Sequence, residues 1–301
     1  MIAVVGPTAA GKTALGVEIA AQLGGEVINA DSMQLYRGMD IGTAKATPDE
    51  RGGVPHHLLD VWDVTVPASV AEYQRLARAY IDELLRAGRV PVLVGGSGLY
   101  VRAALDDLRF PGTDPQVRDR LESELLAEGP AALHRRLAAT DPAAAAAISS
   151  SNGRRIMRAL EVAELTGGPF VATLPEQQDL YDVTYLAVDR PDLDDRIERR
   201  VQQMWDRGFV DEVQRLSHAG LRGSRTASRA LGYAQILTAL AGKSTLGQAK
   251  EHTVTATRRF ARRQRSWFRR DARVRWMAAG QDWRPLLMAG DGGPVRSGRT
   301  E

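Results

Sequence analysis

Cysteine is missing from all 301 residues of the sequence. This absence excludes disulfide bonds, thiolate zinc sites and a cysteine nucleophile, and it suits a reducing compartment. No apolar run approaches the roughly 18 residues of a membrane span, and the chain opens on apolar residues without the basic segment of a signal peptide. We therefore expect a soluble, cytoplasmic protein.

Net charge is also small, at +3, but its distribution is uneven. Eight arginines lie between positions 258 and 273 without interspersed glutamate, and Phe260, Trp267 and Phe268 are interleaved with them. One interpretation is a solvated helix face. We favour a polyanionic or phosphate-bearing partner, because clustered guanidinium groups release counterions when they bind phosphates.

The order of apolar segments predicts an α/β fold with a doubly wound parallel sheet. Strands are expected at 1–5, 26–30, 90–94 and 183–188, and helices at 12–23, 70–87 and 193–219. Residues 112–182 are alanine-rich and helical in pattern, which predicts an all-helical insertion. The catalytic core is then 1–111 and 183–285, and residues 286–301 are expected to be a disordered tail.

A phosphate-binding loop follows the first predicted strand. The residues Gly6-Pro7-Thr8-Ala9-Ala10-Gly11-Lys12-Thr13 fit the pattern G-x-x-x-x-G-K-[ST] and stand between a strand and a helix. Backbone N–H groups and the helix N-terminus converge on an anion in such a loop, Lys12 adds a charge, and the Thr13 hydroxyl is a candidate ligand for Mg²⁺. The motif predicts a P-loop-like core that binds a nucleotide or a diphosphate.

A motor or switch ATPase also has a strand that ends in an aspartate, which holds Mg²⁺. The expected strand at 90–94 has no acidic residue at its end. The strand at 90–94 runs into Gly95-Gly96-Ser97-Gly98, so that Asp31 is the well-placed carboxylate near the loop. Two alternatives remain open from the residues themselves. One is an ATP-dependent kinase for a small molecule or nucleoside, with Asp31 activating a hydroxyl. The other is an RNA-binding module without catalysis.

Several longer signatures resemble those of the bacterial tRNA dimethylallyltransferases, the tRNA isopentenyltransferase family. They are the run from Asp31 to Lys45, Pro55-His56-His57-Leu58-Leu59-Asp60, Gly95-Gly96-Ser97-Gly98-Leu99-Tyr100, Arg154-Arg155-Ile156-Met157-Arg158, Asp195-Arg196-Ile197 and Arg229-Ala230-Leu231-Gly232-Tyr233. The resemblance extends to about residue 280. It implies a transferase that moves the dimethylallyl group of dimethylallyl diphosphate to N6 of adenosine 37, in tRNAs reading codons that begin with U.

The resemblance also implies roles for single residues. Asp31 is the expected general base, Arg196 a second clamp on the diphosphate, and Ser97 stands where the family usually has threonine. The sequence without the resemblance favours another interpretation, in which Arg196 lies on a helix surface and forms an ion pair with Asp192. The diphosphate is expected on Gly6, Thr8, Ala9, Ala10, Gly11, Lys12 and Thr13.

The implied partner is the anticodon stem-loop of tRNA, bound by a monomeric enzyme that uses Mg²⁺. The expected tRNA contacts are Asp31, Ser32, Met33, Gln34, Ser97, Arg118, Arg154, Arg155, Ile156, Met157, Arg158, Arg229, Ala230, Leu231, Gly232, Tyr233 and Ala234.

Overall fold

The chain forms two compact units in the computed structural model, which describes residues 1–170 and 174–288. The larger unit comprises Met1–Asp106 and the chain from Asp179 onward, and the smaller unit is Asp107–Gln178. The sequence predicted this division at 112 and 182, a few residues later at each boundary.

The strands all belong to the larger unit, and the helices occur in both. The strands are β1 (Ile2–Val5), β2 (Glu26–Asn29), β3 (His56–His57), β4 (Pro91–Val94), β5 (Thr184–Asp189) and β6 (Val274–Ala278). In chain order the helices are α1 (Lys12–Leu23), α2 (Pro48–Arg51), α3 (Val70–Arg86), α4 (Gly98–Leu105), α5 (Pro115–Glu128), α6 (Pro130–Thr140), α7 (Pro142–Ala147), α8 (Gly153–Thr166), α9 (Leu193–Asp206), α10 (Phe209–His218), α11 (Tyr233–Leu240), α12 (Leu246–Arg269) and α13 (Arg284–Met288).

The six strands form one parallel sheet in the order β3-β2-β4-β1-β5-β6. Ile2 of β1 pairs with Val92 on one side and with Thr184 on the other. The central strands β1, β2 and β4 are buried along their whole length, as apolar strands covered on both faces require. The predicted P-loop-like α/β class is therefore confirmed, and the carboxyl ends of all strands lie along one edge of the sheet.

Helix boundaries follow local signals, with one correction. In α3 the buried residues Tyr73, Ala77, Ile81 and Leu84 recur at helical spacing, and the Ser69 side chain accepts the N–H of Glu72 at the start of the helix. The single helix expected at 193–219 is two helices, because Gly208 adopts a left-handed conformation with φ of 90° and ends the first. None of the helices in the described part of the chain combines the length and apolar character needed to cross a bilayer.

The expected disordered tail at 286–301 begins too early. Residues 284–288 form α13, where Leu286 and Leu287 pack on the main core. Trp283, immediately before this helix, is buried and donates its indole N–H to Glu18 at 3.0 Å. Apolar burial thus extends the fold past the predicted boundary, and the rest of the predicted tail lies outside the described residues.

The smaller unit contains four helices and no strand among its described residues, and it has a core of its own. The core is formed by one face each of α5, α6, α7 and α8, and its members include Leu121, Leu133, Leu137, Ile156 and Leu160.

Candidate active site

The phosphate loop joins β1 to α1 in a strained conformation. Gly6 and Gly11 have φ of 121° and 105°, and Ala9 has φ of 64°, a left-handed value that a non-glycine residue adopts at a cost. Gly11 precedes α1 and supplies no side chain to cap its first N–H groups. These donors are therefore free to bind an anion at the helix N-terminus.

Lys12 turns back across this loop. Its Nζ donates to the carbonyl oxygen of Pro7 at 2.8 Å. Burial lowers the pKa of Lys12 to about 8, with the negative charge of Asp31 acting in the opposite direction and the positive charge of Arg200 adding to the decrease. A partly buried ammonium group with a lowered pKa gains from a bound anion, because the anion replaces the lost hydration.

Asp31 lies just beyond the carboxyl end of β2, on the same edge of the sheet. Its Oδ1 accepts the N–H of Met33 at 2.9 Å, and its own N–H donates to Oδ1 of Asn29 at 2.9 Å. Oδ2 has no hydrogen-bond partner among the described residues. The backbone turn thus fixes the half-buried carboxylate and leaves one oxygen available as an acceptor.

Ser97 connects the ends of β4 and β2. Its Oγ accepts the N–H of Ser32 at 3.2 Å, and its own N–H donates to the carbonyl oxygen of Ala30 at 3.4 Å. The partners of these two bonds, Ala30 and Ser32, are the residues on either side of Asp31. Within the described structure, the contribution of Ser97 is therefore to hold the segment that carries the carboxylate.

Gln264 of α12 ties the phosphate loop to β4. Its Oε1 accepts the N–H of Thr8 at 2.8 Å, and its Nε2 donates to the carbonyl oxygen of Gly96 at 2.9 Å. The side chain is buried and lies against Gly96 so closely that no Cβ would fit there. We did not predict Gln264 from the sequence, where the available signal was a neutral amide at a core position of an arginine-rich helix.

Two arginines of α9 approach the same loop. Arg196 donates from Nε to the carbonyl oxygen of Ala9 at 2.9 Å, so it braces the strained residue and does not pair with Asp192, which binds Arg190 instead. Arg200, one turn later, makes no hydrogen bond or ion pair to any described residue. Burial lowers the pKa of its guanidinium, and the charge of Asp31 acts against this decrease. The helical spacing from Arg196 was the signal that could have identified Arg200.

A buried carboxylate positions the segment that follows Asp31. Glu212 of α10 accepts the N–H groups of Asp40, Ile41 and Gly42 at 3.0, 2.8 and 3.1 Å, and the hydroxyl of Tyr233 at 2.6 Å. Closer to Asp31 in the chain, the side chain of Gln34 donates to the carbonyl oxygen of Thr43 at 3.1 Å. The loop beside the site is therefore anchored by charge-assisted bonds from the core.

The tRNA contacts expected at 229–234 divide by burial. Arg229 is exposed, and Leu231 and Ala234 are half-buried. Ala230 and Tyr233 are core residues, and Gly232 has φ of 83° ahead of α11. Because the Tyr233 hydroxyl serves Glu212, its side chain supports the loop from beneath and does not face solvent. Ser32, Met33 and Gln34 are half-buried beside Asp31.

In the smaller unit the expected contacts divide in the same way. Arg154 and Arg155 of α8 are exposed, whereas Ile156 and Met157 pack in the core of the unit. Arg118 and Arg158 both pair with the buried Glu161, at 2.6 and 2.7 Å, and Arg158 also binds the carbonyl oxygens of Pro111 and Gly112. A tRNA role for this set stays a prediction, and the burial of the Ile156 and Met157 side chains leaves their backbone as the part that could contact a ligand.

The arginine cluster is also partly structural. Among the described residues, five of the eight arginines have a carboxylate partner: Arg258 with Glu198, Arg262 with Asp194, Arg265 and Arg269 with Asp189, and Arg273 with Asp106, Asp179 and Asp271. Apart from Asp271, the acids come from distant segments, so the sequence did not reveal these pairs. The phosphate partner stays a prediction; among the described residues Arg259, Arg263 and Arg270 are the members of the cluster without a carboxylate partner.

The fold and the site together define a P-loop-type α/β protein with a carboxylate beside its phosphate loop. A family model described as IPP transferase matches residues 34–271. The tRNA dimethylallyltransferase of Streptomyces avermitilis is 69% identical over 280 residues, covering 92% of this chain and 90% of that protein. That of Thermobifida fusca is 66% identical, covering 92% and 89%. The chain belongs to the IPP transferase family.

Solved structures support the same family membership. A full-length tRNA isopentenylpyrophosphate transferase of Bacillus halodurans is 42% identical and superposes with a TM-score of 0.69, covering 95% of this chain and 93% of that one. A eukaryotic dimethylallyltransferase acting on tRNA is 26% identical with a TM-score of 0.79, covering 96% and 76%.

Proposed function

We propose that this enzyme transfers the dimethylallyl group of dimethylallyl diphosphate to N6 of adenosine 37, in tRNAs reading codons that begin with U. The names of the relatives support a prenyl transfer to tRNA. The observation that carries the proposal is the pairing of a phosphate loop with a carboxylate: the loop follows β1 and Asp31 follows β2 at the same edge of the parallel sheet, and the charge of Asp31 acts to raise the pKa of Lys12. Diphosphate and acceptor base would then bind side by side at one edge of the sheet.

The acceptor needs a base because the lone pair of an exocyclic adenine amine is delocalised into the ring. As the new bond forms between N6 and the allylic carbon, the bond from that carbon to the diphosphate oxygen breaks. The amine then loses a proton, which passes to the free oxygen of Asp31. A positioned general base of this kind typically contributes about 10²- to 10⁴-fold in rate.

The leaving diphosphate carries growing negative charge, and the groups around the loop are arranged to receive it. They are the N–H groups at the start of α1, the ammonium of Lys12 and the guanidinium groups of Arg196 and Arg200. Removing one preorganised donor of this type commonly costs about 3 to 4 kcal/mol in the transition state. The unpartnered state of Arg200 supports its inclusion, since a half-buried guanidinium without a protein partner is available to bind an anion.

The residues fit a role for Mg²⁺. The Thr13 hydroxyl has no hydrogen-bond partner among the described residues, and these residues hold no group of three acids or histidines that could bind a metal by themselves. Mg²⁺ is commonly held by few protein ligands together with substrate phosphates. We assign Thr13 as the protein ligand, and the ion would neutralise charge on the diphosphate.

The tRNA must present its base unpaired and out of the stack, as enzymes acting on nucleobases require. Asp31, Ser32, Met33 and Gln34, which are half-buried just beyond the end of β2, are the proposed contacts of the target nucleotide. The exposed Arg229, Arg154 and Arg155 are proposed to contact the rest of the anticodon stem-loop. We propose that the enzyme acts as a monomer in the cytoplasm.

The test is incubation of the purified protein with Mg²⁺, labelled dimethylallyl diphosphate and unmodified tRNA, followed by nucleoside mass spectrometry. N6-(dimethylallyl)adenosine next to the anticodon is the expected product. A parallel reaction with ATP and small hydroxyl acceptors tests the kinase alternative. Phosphorylated acceptor without prenylated tRNA would overturn the proposal.

A further inference from the structure

The two histidines that form β3 have different surroundings. Nε2 of His57 binds the buried carboxylate of Glu26, and its ring packs on Tyr80 with 4.4 Å between the ring centroids. In His56 it is Nδ1 that has a partner, the carbonyl oxygen of Val54 at 2.8 Å. Because a carbonyl oxygen can only accept, Nδ1 of His56 carries the proton, and Nε2 of the neutral ring is an acceptor.

This acceptor nitrogen of His56 is buried, and it has no hydrogen-bond partner among the described residues. Burial lowers the pKa of the ring, with the bond to Val54 acting in the opposite direction and the charge of Arg51 adding to the decrease. The ring is therefore neutral near pH 7. Since buried polar atoms are normally satisfied by the protein or by an ordered water, Nε2 needs a donor from outside its own strand.

His56 lines a small cavity that also reaches the phosphate loop. The cavity has a volume of about 20 Å³, and its walls are formed by Thr13, Val27, Asn29, Gln34, Ala46, His56, Leu59 and Val94. A space of this size holds about one water molecule. The amide nitrogens of Asn29 and Gln34 each donate to two carbonyl oxygens already. Among the described side chains of the wall, the hydroxyl of Thr13 is thus the donor without a partner.

We infer that His56 orients the Thr13 hydroxyl through one water molecule in this cavity. The hydroxyl donates to the water, and the water donates to Nε2 of His56. The inference rests on the proposed function, in which Thr13 binds Mg²⁺ beside the diphosphate. A hydroxyl that binds a cation through its oxygen keeps its proton, and that proton needs an acceptor pointing away from the ion. His56 is then a positioning residue, which acts through Thr13 without touching the substrate.

Two amide variants separate the roles of the two ring nitrogens. Asparagine can keep a donor near Nδ1 but leaves the position of Nε2 empty, whereas glutamine can place its carbonyl oxygen near the position of Nε2. The affinity for inorganic diphosphate is measured by calorimetry with Mg²⁺ present, together with thermal unfolding. His56→Asn is expected to weaken binding by about three- to tenfold, the value of one hydrogen bond. His56→Gln is expected to weaken it by less than about twofold.

The variant Thr13→Val tests whether His56 acts through Thr13, because valine keeps the shape and removes the hydroxyl. In the Thr13→Val protein, His56→Asn should change the affinity for diphosphate by less than about twofold, since the bond is already lost. Equal losses in His56→Asn and His56→Gln would overturn the inference. The same loss from His56→Asn with and without the Thr13 hydroxyl would also overturn it.

Nitrogen-15 NMR of the wild-type protein with Mg²⁺ and diphosphate is an independent test. The His56 ring should carry its proton on Nδ1, and a ring protonated on Nε2 would contradict the inference. These measurements use inorganic diphosphate without tRNA. Prenylated tRNA from the wild-type protein is scored separately, so a failure of the proposed function is distinguishable from a failure of the role of His56.

Discussion

Replacing Gln264 by leucine should loosen the phosphate loop from the sheet. Leucine has a similar size but neither accepts the N–H of Thr8 nor donates to the carbonyl oxygen of Gly96, whose bonds to Gln264 measure 2.8 and 2.9 Å. A buried polar group left without its partner costs about 1 to 3 kcal/mol. Because Thr8 is half-buried and water can partly replace the amide there, we expect the free energy of unfolding to fall by about 2 to 4 kcal/mol in total.

Urea denaturation at pH 7 measures this loss, and Ser266→Ala, at an exposed position of the same helix, is the control with an expected change within about 0.5 kcal/mol. Affinity for inorganic diphosphate, followed by calorimetry on the folded variant, should also fall by about tenfold, because the donors of the loop lose their fixed geometry. A decrease in unfolding free energy no larger than in the control, with unchanged diphosphate affinity, would refute the positioning role of Gln264.

Three further predictions concern charge. The pKa of Lys12 is lowered to about 8 in the folded protein, against an ordinary value of 10.5. Between these two pH values the unfolded chain binds more protons than the folded chain, so the free energy of unfolding should rise with pH. Over the same window the affinity for inorganic diphosphate should fall more steeply in the wild type than in Lys12→Gln, and parallel affinity curves for the two proteins would contradict this assignment. Arg200→Gln should weaken diphosphate binding by about tenfold or more, whereas the exposed neighbour Arg199→Gln should not, and equal effects would remove Arg200 from the site. Glu212→Gln should lower the free energy of unfolding by about 2 to 4 kcal/mol, since an amide cannot accept all four of its bonds; a denaturation curve like that of the wild type would show that the anchoring is dispensable.

The sequence predicted those parts of the molecule that depend on local patterns. The strand, glycine-bearing turn and helix around Lys12 were placed correctly because apolar periodicity and the loop motif are both short-range. The division of 193–219 into two helices was missed, although Gly208 gave a local signal for it. Pattern alone also missed β3, which is only two residues long, and β6, an edge strand that includes the charged Arg275.

The other features that the sequence did not predict depend on contacts between residues far apart in the chain. Nothing near Gln264 in the sequence indicates that its partners are Thr8 and Gly96, more than 150 residues away. The same limit applies to Arg258, Arg262, Arg265 and Arg269, whose acidic partners lie on α9 and at the end of β5. The resemblance to a family identified Asp31 and Arg196, but which side chains face solvent at 154–158 and 229–234 depended on packing that emerged only in the folded chain.

The central claim is that Asp31 accepts the proton of the tRNA amine while the loop holds the diphosphate. The most direct measurement is single-turnover prenylation by Asp31→Ala, with tRNA binding measured on the same preparation. We predict that tRNA affinity is largely retained and that the rate of product formation falls by about 10² to 10⁴. A decrease of less than tenfold, with tRNA still bound, would contradict the assignment of Asp31 as the general base.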